Sequence, residues 1–439
     1  MWAENAVFYQ IHPLGLCGVP RQNDGQLSHR ILALRDWAAH VERLGANAVC
    51  LLPVYESDGD GSDVRDFRKV DGRLGTNDDL RAVVEAFHAR GIKVVLYAMF
   101  NCVGRNFWAF RDLREKRRDS PYKDWFYSLD FDGNTSYDDG LWYETWEYGD
   151  ERLIRLDPSN PAYADELFDI VRFWIETFDI DGLFLGAVYR FTLDFLRRLH
   201  TFTDKLKPDF FLIGETPHGE YDHWVDSGLL HTCTNYESSL RLLSSLNGTN
   251  LFAIIHALNR QCGPNLSAPY RGMRLLSFVD KQDMSRVASV LMHREHLPLA
   301  YALLFEMPGI PCLYYGSEWG EKAYQNRAND WNLCPAFDAP QWNELTDYIA
   351  QLARVRRESP ALCSGDFADV LTTFRQAVFQ RRLDGERVLV AINADSEPYR
   401  AHCDYACGRA TDMFTGRDVD FGGGLEIPPY SAMFLRCER

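Results

Sequence analysis

The chain has 439 residues, 46% of them hydrophobic and 25% charged, with a formal net charge of −16. This is the composition of an ordinary globular protein, and the length fits a barrel of about 250 residues with insertions plus a smaller second domain. The acidic balance argues against a nucleic-acid backbone or an anionic membrane as partner and leaves small neutral or cationic ligands open.

The opening run MWAENAVFYQIHP has no basic region followed by an apolar core, and no apolar stretch reaches bilayer-spanning length. The eleven cysteines are an odd number without paired spacing, and several, such as Cys50 and Cys312, sit in apolar runs. Reduced thiols in a cytoplasmic protein are the simplest reading. Cys403 and Cys407 lie four residues apart, but no second pair completes a zinc site. No metal and no cofactor is expected.

In chain order, apolar strand-like runs fall at Val7–Ile11, Ala48–Leu52, Val94–Phe100, Gly182–Val188, Phe210–Gly214, Thr232–Tyr236, Leu275–Val279 and Cys312–Tyr315. Amphipathic helical patterns separate them. In LRDWAAHVERLG, Leu34, Trp37, Val41 and Leu44 share one face and Gly45 ends the pattern; Asn77–Asp78–Asp79 is expected to cap the next helix. Strand and helix alternating eight times predict an α/β fold, a (β/α)8 TIM barrel, with a site at the C-terminal ends of the strands. The predicted barrel occupies residues 1–101 and 156–360. Residues 102–155 interrupt the alternation after strand 3 and are rich in Asp, Trp and Tyr, as expected of an inserted subdomain over the cleft. Its Trp108, Trp125, Tyr127, Trp142, Tyr143 and Trp146 would stack on a ligand or form the insertion's own core. His218 and His223, after the fifth strand, read as loop residues. Residues 361–439 carry short runs separated by Asp-Gly and Gly-rich turns and predict a C-terminal β-sandwich.

The segments GSDVRDFRKVDGRLGTNDDL, GIKVVLYAMFNCVG, DIDGLFLGAVYR, FFLIGETPHG, LLSFVDKQDMSR and MPGIPCLYYGSEWG, in this order, resemble the motif regions of the α-amylase family, glycoside hydrolase family 13. Retaining hydrolysis needs two carboxyl groups, one donating a proton and one attacking the anomeric carbon. The resemblance implies Glu215 as acid/base and Asp283 as the sugar-binding aspartate. It puts Gly186 at the nucleophile position, Phe184 where the family has an Arg, Tyr97 for a third-strand Asp, Cys102 for a His and Gln282 for the seventh-strand His. Ser62 replaces a stacking Tyr beside the retained Asp63. Asp63, Tyr97, Cys102, Phe184, Gly186, Gln282 and Arg286 are therefore the expected ligand-binding positions. Asp179 and Asp181 precede the fourth strand and should point to its far end. Without the neighbouring Arg, Glu215 is expected to hold its proton more readily.

The replacements concentrate in one cleft while the scaffold motifs persist. The resulting expectation is a carbohydrate-active family member with ordinary retaining hydrolysis lost and a remodelled cleft for an α-glucan, maltooligosaccharide or other small ligand. The alternatives are altered chemistry, for example inverting, through Glu215, or a non-catalytic structural subunit. An oligomer is left open.

Overall fold

The computed structural model describes residues 1–438 apart from 147–148, 218, 266, 327–329 and 406, so His218 lies outside the described residues. Eight parallel strands form the central sheet: β1 (Phe8–Ile11), β2 (Ala48–Leu51), β3 (Lys93–Ala98), β4 (Gly182–Leu185), β5 (Phe211–Gly214), β6 (Thr232–Cys233), β7 (Leu276–Phe278) and β8 (Ile310–Tyr314). Each sequence-predicted strand is present. β8 returns to β1, pairing Cys312 with Phe8. Between β6 and β7 the ladder shrinks to a bridge from Thr234 to Leu276, supported by Asn235 N–H donating to the Leu276 carbonyl at 2.8 Å. The sheet is thereby a nearly closed barrel. Its strands are almost wholly buried, which explains why they read as continuous apolar runs rather than alternating ones.

Helices cover the outside. Leu34–Leu44 buries Leu34, Trp37, Val41 and Leu44 and ends at Gly45, whose φ of 91° favours glycine; a Cβ there would meet Ala353 Cβ at 2.8 Å. The next helix, Asn77–His88, is capped one residue earlier than expected. Thr76 is the N-cap, and Asp79 returns a bond to the Thr76 N–H at 2.8 Å. This reciprocal pair satisfies two end groups at once, which is why it wins over Asn77.

The insertion is tied at its base by Cys102–Gly104 pairing with Leu153–Arg155. Trp108, Tyr122 and Trp125 pack on one another at 4.9–5.5 Å between ring centroids, and Tyr143 is buried. Tyr127 and Trp142 are exposed. Three of the six predicted aromatics, Trp108, Trp125 and Tyr143, therefore pack inward, continuous with the barrel core.

The C-terminal strands are β9 (Asp366–Thr372), β10 (Gln376–Leu383), β11 (Glu386–Asn393), β12 (Tyr399–Ala401), β13 (Arg409–Asp412), β14 (Asp418–Asp420), β15 (Leu425–Ile427) and β16 (Ser431–Cys437). Six form an antiparallel sheet in the order β9-β10-β11-β16-β13-β14, and β12 pairs with β15. The two-residue period of strands sends Phe379, Val390, Ile392 and Phe434 into the barrel-side core. Val378, Leu389, Ala391 and Leu435 face Tyr405, Phe421 and Ile427 instead. Buried Arg381 joins the units, donating to the Glu306 carbonyl at 2.5 Å.

Candidate functional site

A cleft of about 520 Å³ opens at the C-terminal ends of the barrel strands. Its wall includes His12 after β1, Leu52 after β2, Tyr97 and Met99 at the end of β3, and Gln282 and Asp283 after β7. Asp60, Ser62, Arg152, Asp330 and Trp331 complete it from the loops.

Beneath this wall lies a charged cluster. Glu215 follows β5 directly, and its side chain is 14% exposed. Tyr97 donates to Glu215 Oε2 at 2.8 Å, and Tyr236 donates to Oε1 at 3.3 Å. Lys281, 3% exposed, places its ammonium against Glu215 Oε1 and the Tyr236 hydroxyl, with Asp283 Oδ2 at 3.4 Å. Tyr236 also reaches Asp283 Oδ2 at 3.4 Å. Glu215 and Asp283 thus converge, joined by one ammonium and one hydroxyl.

The electrostatics follow. Burial pushes the Glu215 carboxyl up, but Lys281, Tyr97 and the Ala187 N–H outweigh it and hold the carboxyl below the usual glutamate value. Burial likewise opposes the Lys281 charge, and Glu215 and Asp283 override it, holding the ammonium well above the usual lysine value. The expectation that Glu215 would keep its proton is therefore corrected. The sequence comparison registered the lost Arg and overlooked the new cation. The only hint was a lysine directly before Gln282 in VDKQD, at the end of a buried strand. Tyr236 was also missed: it reads as the last residue of the strand-like run Thr232–Tyr236, whereas the structure makes it the first residue of the helix Tyr236–Asn247.

Gly186 lies against Tyr97. A Cβ built at 186 would collide with the Tyr97 hydroxyl and stand 2.8 Å from Tyr97 Cζ and 3.1 Å from Met99 Sδ. The register explains this: Tyr97 pairs with Phe184 across β3 and β4, and the two rings meet edge to face at 5.3 Å. Asn101 Nδ2 holds the Gly186 carbonyl at 2.8 Å. The space for a side chain at 186 is thus occupied by Tyr97.

The other expected positions divide. Tyr97, Gln282 and Asp283 line the cleft, and Asp283 is half exposed. Among the described residues, Gln282 Oε1 is buried without a hydrogen-bond partner. Asp63 is 4% exposed and accepts from the Gly59 N–H at 2.9 Å; burial, then Asp60, push its carboxyl up to about 6. Three positions are corrected. Cys102 is buried in the strand that closes the insertion. Phe184 is buried beside Tyr97. Arg286 has no exposed surface and binds the carbonyls of Tyr315 and Leu333 at 2.7 and 2.8 Å, so it braces loops rather than reaching the cleft or Asp283. Asp181 sits at the far end of β4, 2.7 Å from His88 Nε2. Among the described residues, no group of three His, Cys, Asp or Glu side chains is arranged to hold a metal.

A near-closed parallel barrel with acidic groups after its fifth and seventh strands, an insertion after the third and a trailing antiparallel domain defines a class of (β/α)8 proteins with a strand-end cleft. The chain belongs to the α-amylase family: the model described as "Alpha amylase, catalytic domain" matches residues 36–347. The chain is 25% identical to a cyclomaltodextrinase of Bacillus sp., over 92% of this chain and 75% of that protein. It is 27% identical to neopullulanase 2 of Thermoactinomyces vulgaris, over 99% and 78%. Among solved structures, the ligand-free cyclic α-maltosyl-(1→6)-maltose hydrolase of Arthrobacter globiformis matches with a TM-score of 0.83 at 25% identity over 100% of both chains. The same hydrolase has been solved in complex with maltose.

Proposed function

We propose that this α-amylase-family chain holds an α-glucan-type or other small ligand in its cleft and has lost retaining hydrolysis. The observation that carries the proposal is the Tyr97 side chain, which fills the volume at Gly186 and donates to Glu215. A retaining pair needs a second carboxylate roughly 5–5.5 Å from the first. Glycine cannot attack, and Tyr97 also bars a small anion from taking the missing group's place. A general acid must carry a proton, whereas Lys281 and its hydrogen-bonding neighbours keep Glu215 ionised. The same cluster counts against an inverting pair, because Lys281 and Tyr236 stand between Glu215 and Asp283 where sugar and water would have to fit.

The cleft keeps groups suited to a neutral polar ligand. Asp283, Gln282, Arg152 and Asp60 offer hydrogen bonds, and Trp331 offers a ring face. The names of the relatives make maltooligosaccharides the first ligands to try. Two assays test the reading. Calorimetric titration with a maltooligosaccharide series should show saturable binding that Asp283→Ala weakens. Incubation with the same oligosaccharides should release no reducing ends above an enzyme-free control. Turnover with retained anomeric configuration, abolished by Glu215→Gln, would overturn the loss of hydrolysis. Absence of any saturable binding would overturn the ligand assignment.

A further inference from the structure

Away from the cleft, Cys407 and Cys437 bring their sulfurs to 2.7 Å. That is well inside the contact distance of about 3.5–4.0 Å between non-bonded heavy atoms, and not far from the roughly 2.05 Å of a disulfide bond. The cysteine spacing alone gives no sign of this pair, since Cys407 and Cys437 lie 30 positions apart. The fold pairs Cys407 with a residue at the end of the last strand.

The approach is built by the backbone on both sides. Tyr405 stacks on Phe421 at 4.5 Å between ring centroids, and its hydroxyl donates to the Ala401 carbonyl at 2.6 Å, anchoring the loop that carries Cys407. Just beyond, the Phe421 N–H donates to the Gly408 carbonyl at 3.3 Å. Opposite, β16 runs beside β13 with Cys437 in register with Ala410, and the Glu438 N–H binds the Arg409 carbonyl at 3.1 Å. Both cysteines are half-buried and within reach of a small reagent, whereas Cys50, Cys102, Cys233, Cys262, Cys312, Cys334 and Cys363 are buried.

We propose that Cys407 and Cys437 form a dithiol–disulfide site that reacts with small-molecule disulfides and fastens the last strand of the C-terminal domain to the loop before β13. The Cys407 thiolate attacks one sulfur of the small disulfide, forming a mixed disulfide and releasing one thiolate. Cys437 sulfur then attacks the Cys407 sulfur, giving the intramolecular bond and releasing the second small thiol. The protein dithiol loses two electrons, the small disulfide gains them, and the two cysteine protons pass to the released thiolates. Burial, then the Cys407 neighbour, push the Cys437 thiol up to about 12.

The test uses the full chain with glutathione disulfide as the probe. After incubation, alkylation and proteolysis without reductant, mass spectrometry should find the Cys407 and Cys437 peptides joined. The free thiols should number two fewer than the eleven of the reduced chain. Cys437→Ser should abolish the cross-link and leave one glutathione on Cys407, while Cys403→Ser should leave the cross-link unchanged. The oxidised chain should melt above the reduced one, with no such difference in Cys437→Ser. Recovery of Cys407 and Cys437 as separate adducts, or a cross-link from Cys403 to Cys407, would overturn the assignment. Equal melting of the oxidised and reduced chains would overturn the fastening role.

Discussion

Gly186→Ala is a one-carbon probe of whether Tyr97 fills the vacated position. The added Cβ would collide with the Tyr97 hydroxyl and lie 2.8 Å from Cζ, where relaxed carbon contacts need about 3.5–4.0 Å. Tyr97 would have to retreat by roughly 1 Å. It has little room to do so, because its ring rests edge-on against Phe184 at 5.3 Å and its hydroxyl is bound to Glu215 at 2.8 Å. Overpacking of this kind costs about 1–3 kcal/mol. Tyr97→Ala alone should cost about 3–5 kcal/mol as a cavity, but it removes the obstacle. Adding Gly186→Ala to that background should then cost close to nothing, a coupling of about 1–3 kcal/mol that urea unfolding of the four proteins would read. An equal cost of Gly186→Ala with and without Tyr97 would refute the claim that Tyr97 occupies the space.

Other predictions follow from the same cluster. Lys281→Met leaves Glu215 buried without its cation and should destabilise the protein by about 3–5 kcal/mol, measured by chemical unfolding. Because the Glu215 carboxyl is held below its unfolded value, its contribution is present above about pH 4.5 and is lost as pH falls through the folded value; carboxyl NMR should show that value rising in Lys281→Met. Asp63 works with the opposite sign. Its carboxyl, raised from 3.8 to about 6, favours the protonated folded state, so its contribution is full below the unfolded value and disappears as pH rises through about 6. The melting temperature of the native protein relative to Asp63→Asn should accordingly fall across that window, and a flat difference would count against the buried, titrating carboxyl. Gly186→Asp alone should not give glucosidase activity, because Tyr97 and the missing Arg still misplace the sugar and about 1 Å of error costs roughly a hundredfold in rate. Activity should require Tyr97→Asp, Phe184→Arg, Gln282→His and removal of the Lys281 cation together with Gly186→Asp, followed with an activated α-glucoside.

The barrel was legible because strands buried on both faces read as plain apolar runs, and the helices between them carry periodic faces with clear stops such as Gly45. The convergence of Glu215 with Asp283 was legible for the same reason, since strand-end residues of one barrel share a face. The state of the site was not. Whether Gly186 left a hole depended on the β3–β4 register that sets Tyr97 beside Phe184, a relation between residues far apart in the chain. The charge of Glu215 depended on Lys281, which lies 66 positions away and carries no sign of its partner. Cys102 and Arg286 match motif positions, but a motif match does not tell a residue that touches a ligand from one that braces the loops. The Cys407–Cys437 approach arose from strand pairing, where the cysteine spacing showed no pair and reduced thiols were expected.

The central claim is that no nucleophile, native or borrowed, can reach a sugar over Glu215. The most direct measurement is turnover of α-glucosyl fluoride by the unmodified protein with and without azide or formate. The account predicts no fluoride release above the protein-free rate in either case and no glucosyl azide. Anion-dependent fluoride release, with the azide adduct recovered, would mean that the space at Gly186 is open and that the protein is an α-amylase-family enzyme lacking a single side chain.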